Sequence, residues 1–449
     1  MLNVVRPPAV ARHAEYSPCS DRTAPSAADA PRSDDVEREL RDIDARLRAW
    51  RRTGNTAHLW PEVSEPERLS ALSEIERLTR AVLTAPATPP RLCADGAADV
   101  RATGIAAFTS GMGPLLGYWI ETGTIEVSTE LVPLLARHLE HGRCRSRRLA
   151  LATGGVLDAL AAHGITPTIL KGFHTARAYF PDPGTRPLTD VDLLVSEADF
   201  DRAPPALRAA GLVESEGRSA RNRRDWIPAG AGRMVRSLEL CHADNPWSID
   251  LHASLDRTMF RGCTVSFGPV RSADAAAWVV LERPVRVLAQ PLLTAFLALH
   301  VSQELQSVPL LRLVELVLVI RRDRAAGQLE WEALRALLVR TGTARFVFPA
   351  FALVEKLAPG TLEPALHEEL AATATPRMRR VLERTTPANV QRLDHMSVEE
   401  KFMWAAGPVD VARRLGQFIR PLGTDGSLVD LCRTYCRWLS RLRRGRVAR

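Results

Sequence analysis

Residues 166–195 read TPTILKGFHTARAYFPDPGTRPLTDVDLLV, and this stretch decides the fold of the chain. The run 166–170 is short and β-prone, and it stops at Lys171-Gly172. A short helix is predicted from about 174 to 180, and a loop rich in proline and glycine follows it. The pattern therefore predicts a strand, a tight turn and a helix in quick succession.

The segment 190–195, DVDLLV, predicts a second buried strand that is apolar except for Asp190 and Asp192. Since side chains alternate along a strand, both carboxylates point to the same side, roughly 6–7 Å apart. At an effective dielectric of about 20, two like charges at that distance repel by roughly 2–3 kcal/mol. A cation between them removes this repulsion, and hard oxygen ligands on a strand suit Mg²⁺.

The turn between the two strands carries groups that recognise phosphate. Gly172 precedes a helix whose first backbone N–H groups can face an anion. Lys171 adds a point charge, and it is one of only three lysines in a chain whose other cationic side chains are arginines. Together with the two carboxylates, these features predict metal-assisted phosphoryl or nucleotidyl transfer.

A third carboxylate is expected further along the chain. The segments 234–241 and 248–252 alternate like a pair of strands joined by a turn. The second of them places Asp250 and His252 on one face, where Asp250 would complete a metal site. The alternative is an exposed strand on which both side chains are solvated.

Composition bounds the class of protein. The chain has 449 residues, of which 46% are hydrophobic and 25% charged, which allows a large core and two or three domains. The net charge of +8 makes anionic partners plausible. Seven scattered cysteines without a C-x-x-C pair fit a reducing cytoplasm and no structural zinc. We expect neither a signal peptide nor a transmembrane helix.

The fold class predicted from these patterns is α+β and helix-rich, with a small mixed β-sheet core between N- and C-terminal helical regions. The expected organisation is a disordered tail at 1–34, a helical region at 35–145, the core at 146–280 and a helical domain at 281–449. Two separate helices, 128–142 and 144–162, are predicted to lead into the first strand of the core.

Two basic segments leave their roles open. The polar loop 214–232 carries several arginines and one tryptophan, and it is either a solvated loop or a site for phosphate or an acidic peptide. The segment 427–444 predicts a basic amphipathic helix, either solvated or in contact with nucleic acid or a membrane surface. His300 lies in an apolar helix, where a core histidine is the simpler interpretation.

Taken together, L-K-G after a strand, R-P-x-x-D-V-D-L-L-V downstream and a strand reading I-D-L-H resemble the nucleotidyltransferase superfamily shaped like DNA polymerase β. More narrowly, they resemble its bacterial branch with the motifs LKG, R-P, D-I-D-L-L-V and (D/E)-L-H. The resemblance spans about residues 100–360. The positions it assigns are the metal pair Asp190 and Asp192, the third carboxylate Asp250, the turn glycine Gly172 and the basic positions Lys171 and Arg186.

The turn departs from the superfamily pattern at one position. Gly172 is followed by Phe173, where the superfamily commonly has serine or a second glycine. A hydroxyl for a phosphate oxygen is therefore missing, and Lys171 or His174 would have to replace it. The loop from Gly172 to Asp190 is also longer than in the compact members.

The resemblance implies an Mg²⁺-dependent enzyme, with two ions, that moves a nucleoside monophosphate from an NTP to an acceptor hydroxyl or phosphate. Members of the branch often sit beside genes for peptide natural products, which favours a peptide or small-molecule acceptor over RNA. Two alternatives stay open. A metal-dependent glycosyltransferase also uses D-x-D, and a non-catalytic protein could bind nucleotide at the same residues.

Overall fold

The computed structural model describes residues 33–94, 96–215, 222–232, 234–259, 263–305, 307–389 and 398–412. Most of the predicted tail at 1–34 and all of the predicted helix at 427–444 lie outside these residues. No helix within them is both long enough and apolar enough to cross a membrane.

Helices dominate the described chain. In chain order they are α1 Ser33–Thr53, α2 Glu65–Leu83, α3 Ala97–Thr109, α4 Gly113–Glu121, α5 Leu131–Ala162, α6 Phe173–Ala178, α7 Glu197–Ala209, α8 Leu292–Gln303, α9 Leu310–Ala325, α10 Trp331–Thr341, α11 Ala344–Leu357, α12 Pro364–Ala372, α13 Pro376–Arg384 and α14 Val398–Phe402. The strands are β1 Arg91–Leu92, β2 Glu126–Val127, β3 Thr168–Ile169, β4 Asp190–Leu194, β5 Leu212–Glu214, β6 Arg223–Pro228, β7 Ser248–His252, β8 Arg257–Met259, β9 Cys263–Val265, β10 Ala275–Val280 and β11 Arg283–Leu288.

One seven-stranded sheet forms the centre, in the order β10-β11-β3-β4-β7-β6-β5. The pairs β11–β3 and β4–β7 are parallel, and the other neighbours are antiparallel. The sheet is therefore mixed, as predicted, and the α+β, helix-rich fold class is confirmed. The hairpin β10–β11 extends the sheet to Leu288.

The two faces of the sheet have different chemistry because side chains alternate along each strand. Val191 and Leu193 of β4 face one side, where they join Ile249 and Leu251 of β7 in a core with α5 and α7. Leu194 lies on the other side and belongs to the larger core with α8 and α9. The residues that share this second face with Leu194 include the strand carboxylates.

Helix α8 is the centre around which the C-terminal helices pack on this second face of the sheet. Its sequence is apolar on all sides, and every residue from Leu292 to Ser302 is buried. Such a helix belongs at the centre of a core, not on a surface. Helices α9, α10 and α11 pack around it. The helical region therefore covers the face of the sheet that carries the carboxylates.

The break predicted between helices 128–142 and 144–162 is wrong, because α5 runs unbroken from Leu131 to Ala162. Glycine in a helix interior costs only about 1 kcal/mol relative to alanine. At Gly142 a Cβ atom would lie 2.2 Å from the carbonyl oxygen of Gly184. The glycine therefore permits close packing of α5 on the loop before β4, and it does not end a helix.

The strand predicted at 234–241 is also wrong, since these residues form bends. The antiparallel partner of β7 is β6, which lies in the predicted polar loop 214–232. Its alternation is inconspicuous because Arg224 lies on the same face as Trp226 and interrupts the apolar pattern. Trp226 is fully buried in the core with α7, whereas Arg223 and Asp225 face the carboxylates.

Candidate active site

The turn after β3 has a conformation that demands glycine. Gly172 has φ +58° and ψ −82°, a region that side chains with a Cβ atom avoid. A Cβ atom at Gly172 would also lie 3.3 Å from Nη1 of Arg186. The chain then enters α6, a helix of only six residues. The predicted strand–glycine–helix turn is thus present, and it is packed against Arg186.

The carboxylates of β4 and β7 face each other across parallel strands. In the observed register Asp192 lies opposite Asp250, and Asp190 lies opposite Ser248. Asp192, Asp250 and His252 each offer one ligand atom, and these atoms all lie within 4.8 Å of one another. All three residues are 3–4% exposed, whereas Asp190 is half-buried at the start of β4.

A buried arginine of α5 holds the two strands in this register. Nη1 and Nη2 of Arg145 donate to the carbonyl oxygens of Asn245 and Pro246, at 2.6 and 2.8 Å. Its Nε donates to the carbonyl oxygen of Leu188. Because these carbonyls come just before β7 and β4, one guanidinium group fixes where both carboxylate strands begin.

Each carboxylate of the opposed pair has a cation of the protein beside it. Lys171 Nζ lies 2.8 Å from Asp192 Oδ2, and His252 Nε2 lies 3.2 Å from Asp192 Oδ1. Arg223 of β6 donates through Nη2 to Asp250 Oδ2 at 2.6 Å and through Nε to Asp225 Oδ1 at 3.0 Å. The opposed carboxylates are therefore partly neutralised by the fold itself.

The two carboxylates nevertheless differ in charge state. Burial acts to raise the pKa of Asp192, but Lys171 and His252 outweigh it and hold this pKa well below its ordinary value. Burial raises the pKa of Asp250 to about 7, the charges of Asp192 and Asp190 add to this, and Arg223 offsets it only in part. The cluster is therefore short of positive charge at neutral pH when Asp250 is ionised.

His252 fits a metal-binding role in this cluster. Burial lowers its pKa more than Asp192 raises it, so the ring is neutral at pH 7, which is the form that binds metals. Two carboxylate oxygens, one imidazole nitrogen and a deficit of positive charge are consistent with a bound divalent cation.

Arg186 is placed beside the turn but is already paired. It donates to both oxygens of Glu315 on α9, with Nε–Oε1 at 2.8 Å and Nη2–Oε2 at 3.0 Å. Thr175 of α6 also donates to Glu315. Both Arg186 and Glu315 are almost completely buried. The pair joins the turn to the helical region, and it leaves Arg186 little capacity for a phosphate.

His174 points away from the ionic cluster into aromatic surroundings. Its ring packs edge-on against Trp278, with centroids 5.0 Å apart, and against Tyr179 at 5.7 Å. Burial lowers its pKa to about 4. The ring is neutral at pH 7 and offers no charge to an anion.

Sequence reasoning missed the residues that surround the carboxylates from other elements. Arg223 and Asp225 alternate on β6, and this alternation was the one local signal available. Arg145, Arg257 and Arg312 reach the region only through tertiary packing, so no local pattern could have identified them. His252 was placed correctly beside Asp250, and its contact with Asp192 depends on the register of β4 and β7.

A mixed sheet with opposed carboxylates on neighbouring strands, next to a strand–glycine–helix turn, defines a nucleotidyltransferase-like protein. Residues 98–359, more than half of the chain, match the model of a family described as uncharacterised nucleotidyltransferases, and the chain belongs to that family. The match includes the whole sheet together with α8 and α9. Neither the curated proteins nor the solved structures contain a significant match to this chain.

Proposed function

We propose that this protein transfers a nucleoside monophosphate from an NTP, with ATP as the first candidate, to an acceptor in a reaction that depends on Mg²⁺. The observation that carries the proposal is the opposition of Asp192 and Asp250 on parallel strands, with His252 within 4.8 Å. The family match supports nucleotidyl transfer as the type of chemistry.

Asp192 and Asp250 are the residues that would hold the metal, with His252 beside them and Asp190 at the edge of the cluster. A divalent ion bound there supplies positive charge to the polyphosphate and to the attacking oxygen. The sequence resemblance implies two such ions. The raised pKa of Asp250 supports the fit, because a carboxyl group destabilised by its neighbours gains most from an added cation.

The proposed chemical step is a displacement at the α-phosphorus. The acceptor oxygen forms a bond to the α-phosphorus, the bond from that phosphorus to the bridging oxygen of the β-phosphate breaks, and pyrophosphate leaves. Asp250 accepts the acceptor proton as a general base. Lys171 holds Asp192 in place at 2.8 Å, and the turn at Gly172 borders the phosphate site.

A peptide or a small molecule is the acceptor class that we favour, because the branch resembled by the motifs is associated with peptide natural products. The net charge of +8 also permits an anionic acceptor such as an RNA end.

Labelled ATP tests the proposal. The protein is incubated with Mg²⁺, candidate peptides and cell extract, using ATP labelled at either the α- or the γ-phosphate. Label transferred from the α position supports nucleotidyl transfer, and transfer from the γ position indicates a kinase instead. Asp192→Asn should abolish transfer, whereas Asp201→Asn, an exposed change on α7, should not. Full activity of Asp192→Asn would refute the metal assignment.

Non-catalytic nucleotide binding is the second candidate, and one observation favours it. Asp192 and Asp250 already have Lys171 and Arg223 as counter-ions. Tight ATP binding that is independent of Mg²⁺ and unaffected by Asp250→Asn would support this function over transfer. Mg²⁺-dependent binding of sugar nucleotides in preference to NTPs would instead indicate a glycosyltransferase.

A further inference from the structure

The residues first expected to hold the NTP phosphates are committed elsewhere. Arg186 is paired with Glu315, and Lys171 is shared with Asp192. His174 is neutral and packed against aromatic rings, so it brings no charge, although its Nδ1 atom has no hydrogen-bond partner among the described residues. A triphosphate carries about four negative charges, more than one shared lysine can balance. Beside the metal ions, further cationic side chains near the carboxylates are therefore candidates for binding the β- and γ-phosphates.

Arg257 on β8 is one such cation. Its Nε atom is buried and has no hydrogen-bond partner among the described residues. Its guanidinium group lies over the ring of Phe296 on α8, 5.1 Å from the centroid. Burial lowers its pKa, and the negative charges that act on it are those of Asp192, Glu304 and Asp250. A buried donor without an acceptor is costly, so an anionic ligand would remove a penalty that the fold now bears.

Arg312, in the first turn of α9, is a second cation. Its Nη1 lies 3.3 Å from Glu315 Oε2, but that oxygen already accepts a bond of 3.0 Å from Arg186. Two arginines therefore share one carboxylate, which leaves an excess of one positive charge. The shared carboxylate of Glu315 also places Arg312 near the turn, because Arg186, its other partner, lies against Gly172. The negative charges that act on Arg312 include Asp190 and Asp192.

His300 on α8 adds a polar group to the same space. It is 7% exposed, and its Nδ1 atom has no hydrogen-bond partner among the described residues. Glu304 Oε1 lies 3.8 Å from this nitrogen, which is too far for a hydrogen bond. His300 is one helical turn from Phe296, so both residues lie on the same side of α8. After burial, the charges with the largest effect on its pKa are Lys171, Arg312 and Arg257.

We propose that Arg257 and Arg312, together with His300, bind the β- and γ-phosphates of the NTP. This inference rests on the proposed function and deepens it, because it assigns the leaving pyrophosphate to the C-terminal helical region and the strand packed on it. The turn at Lys171-Gly172 then serves mainly to shape the site. Helices α8 and α9, which cover the sheet, are then part of the active site and do not only support the sheet.

Binding of three probes tests the assignment: a non-hydrolysable ATP analogue, inorganic tripolyphosphate and AMP, each measured by calorimetry with Mg²⁺. Arg257→Met and Arg312→Met should each weaken binding of the first two by about 10-fold or more, the loss of one charge-assisted contact. Binding of AMP should change by less than about 2-fold. The control is Arg340→Met, an exposed arginine in the last turn of α10 with the same change of charge.

Thermal unfolding provides a readout that a merely structural arginine would not give. Since the Nε of Arg257 is buried without a partner, Arg257→Met should leave Tm unchanged or raise it while phosphate binding is lost. Arg257→Lys, which keeps the charge, should recover part of the binding. A lower Tm with unchanged binding of tripolyphosphate would overturn the inference.

The outcomes separate this inference from the proposed function. If the protein and both variants bind the ATP analogue equally well, the inference is wrong and nucleotidyl transfer can stand. If tripolyphosphate binds in a manner that depends on Arg257 and Arg312 but no nucleotide is transferred, the inference holds and the function fails. If the unmodified protein binds neither probe, both are wrong.

Discussion

Asp192 and Asp250 lie directly opposite each other on two parallel strands, and each is buried beside one long cationic side chain. Adjacent strands are about 4.8 Å apart, so the fold forces two carboxylates together and then only partly compensates them. The compensating groups come from different strands, since Lys171 follows the end of β3 and Arg223 begins β6. We regard them as internal counter-ions that hold the carboxylates in place until a metal and a polyphosphate bind.

Replacement of Lys171 should therefore have a metal-dependent effect on stability. Lys171→Met leaves Asp192 buried with His252 as its remaining side-chain hydrogen-bond partner among the described residues, and breaking a buried ion pair costs about 3–5 kcal/mol. Added Mg²⁺ or Mn²⁺ should restore much of this loss, because the metal takes the place of the ammonium group. Thermal unfolding with and without metal measures the effect.

The matched control for that experiment is Lys356→Met. Lys356 donates to two backbone carbonyls, among them that of Thr385 at 2.8 Å, and it has no part in the carboxylate cluster. Its loss should also lower Tm, but metal should restore nothing. Equal metal responses of the two variants would contradict a metal site at Asp192.

The two glycines Gly172 and Gly164 allow the turn to be tested with the same substitution. Both have positive φ, but nothing lies within 4 Å of a Cβ atom at Gly164, whereas Arg186 lies 3.3 Å from one at Gly172. Gly164→Ala should cost about 1 kcal/mol of stability, and Gly172→Ala about 2–3 kcal/mol, with a clear loss of transfer. Denaturant unfolding and the α-label assay measure both, and equal costs at the two positions would argue against a strained turn at Gly172.

The sequence predicted the centre of the site better than its surroundings. The strand of Asp190 and Asp192, the turn at Gly172 and the strand of Asp250 follow from local patterns, and all three are present. Strand alternation also placed His252 on the face of Asp250. The domain boundaries at 145 and 280 stay predictions.

The sequence could not predict which strands pair or which distant residues come into contact. Strand β6 was not predicted because the face that carries Arg223 and Asp225 is charged, and these charges are explained only by the pairing that places Asp225 opposite Asp250. The commitment of Arg186 to Glu315 joins residues 129 positions apart. The close approach of Gly142 to Gly184 cannot be detected in the local sequence, so the sequence predicts two helices where α5 is continuous.

The buried carboxylate of Glu315 predicts a pH dependence of stability. Burial acts to raise its pKa, but the charges of Arg186 and Arg312 lower it from 4.5 to about 2. A carboxyl group with a depressed pKa stabilises the fold above its unfolded pKa and loses that contribution as the pH falls from about 4.5 towards 2. The shift corresponds to about 3 kcal/mol. Glu315→Gln should therefore lower the free energy of unfolding at pH 7 and weaken its decline between pH 5 and 3.

Denaturant titrations at several pH values between 3 and 7 test this, with Glu332→Gln as the control. Glu332 is 83% exposed and pairs only at the surface with Arg335, so its loss should change stability by less than about 1 kcal/mol. A Glu315→Gln protein as stable as the unmodified one at pH 7 would mean that the two arginines gain nothing from this carboxylate.

Loss of Arg145 should reduce both the stability of the fold and binding at the candidate site. Arg145→Met leaves three carbonyl oxygens without their donor, that of Leu188 in a buried hydrogen bond and those of Asn245 and Pro246 in half-buried ones. An unsatisfied buried acceptor costs about 1–3 kcal/mol, and half-buried acceptors regain part of this from water, so we expect a loss of about 2–3 kcal/mol in the free energy of unfolding. Because the same guanidinium group fixes the start of both carboxylate strands, metal and nucleotide binding should fall as well, even at temperatures where the variant is folded.

The control is Arg148→Met, one turn along α5, where an exposed arginine pairs with Asp244. This change removes the same charge without touching either strand. If both variants bound metal equally well, the register of β4 and β7 would have to be held by the sheet alone, and Arg145 would be only a packing residue.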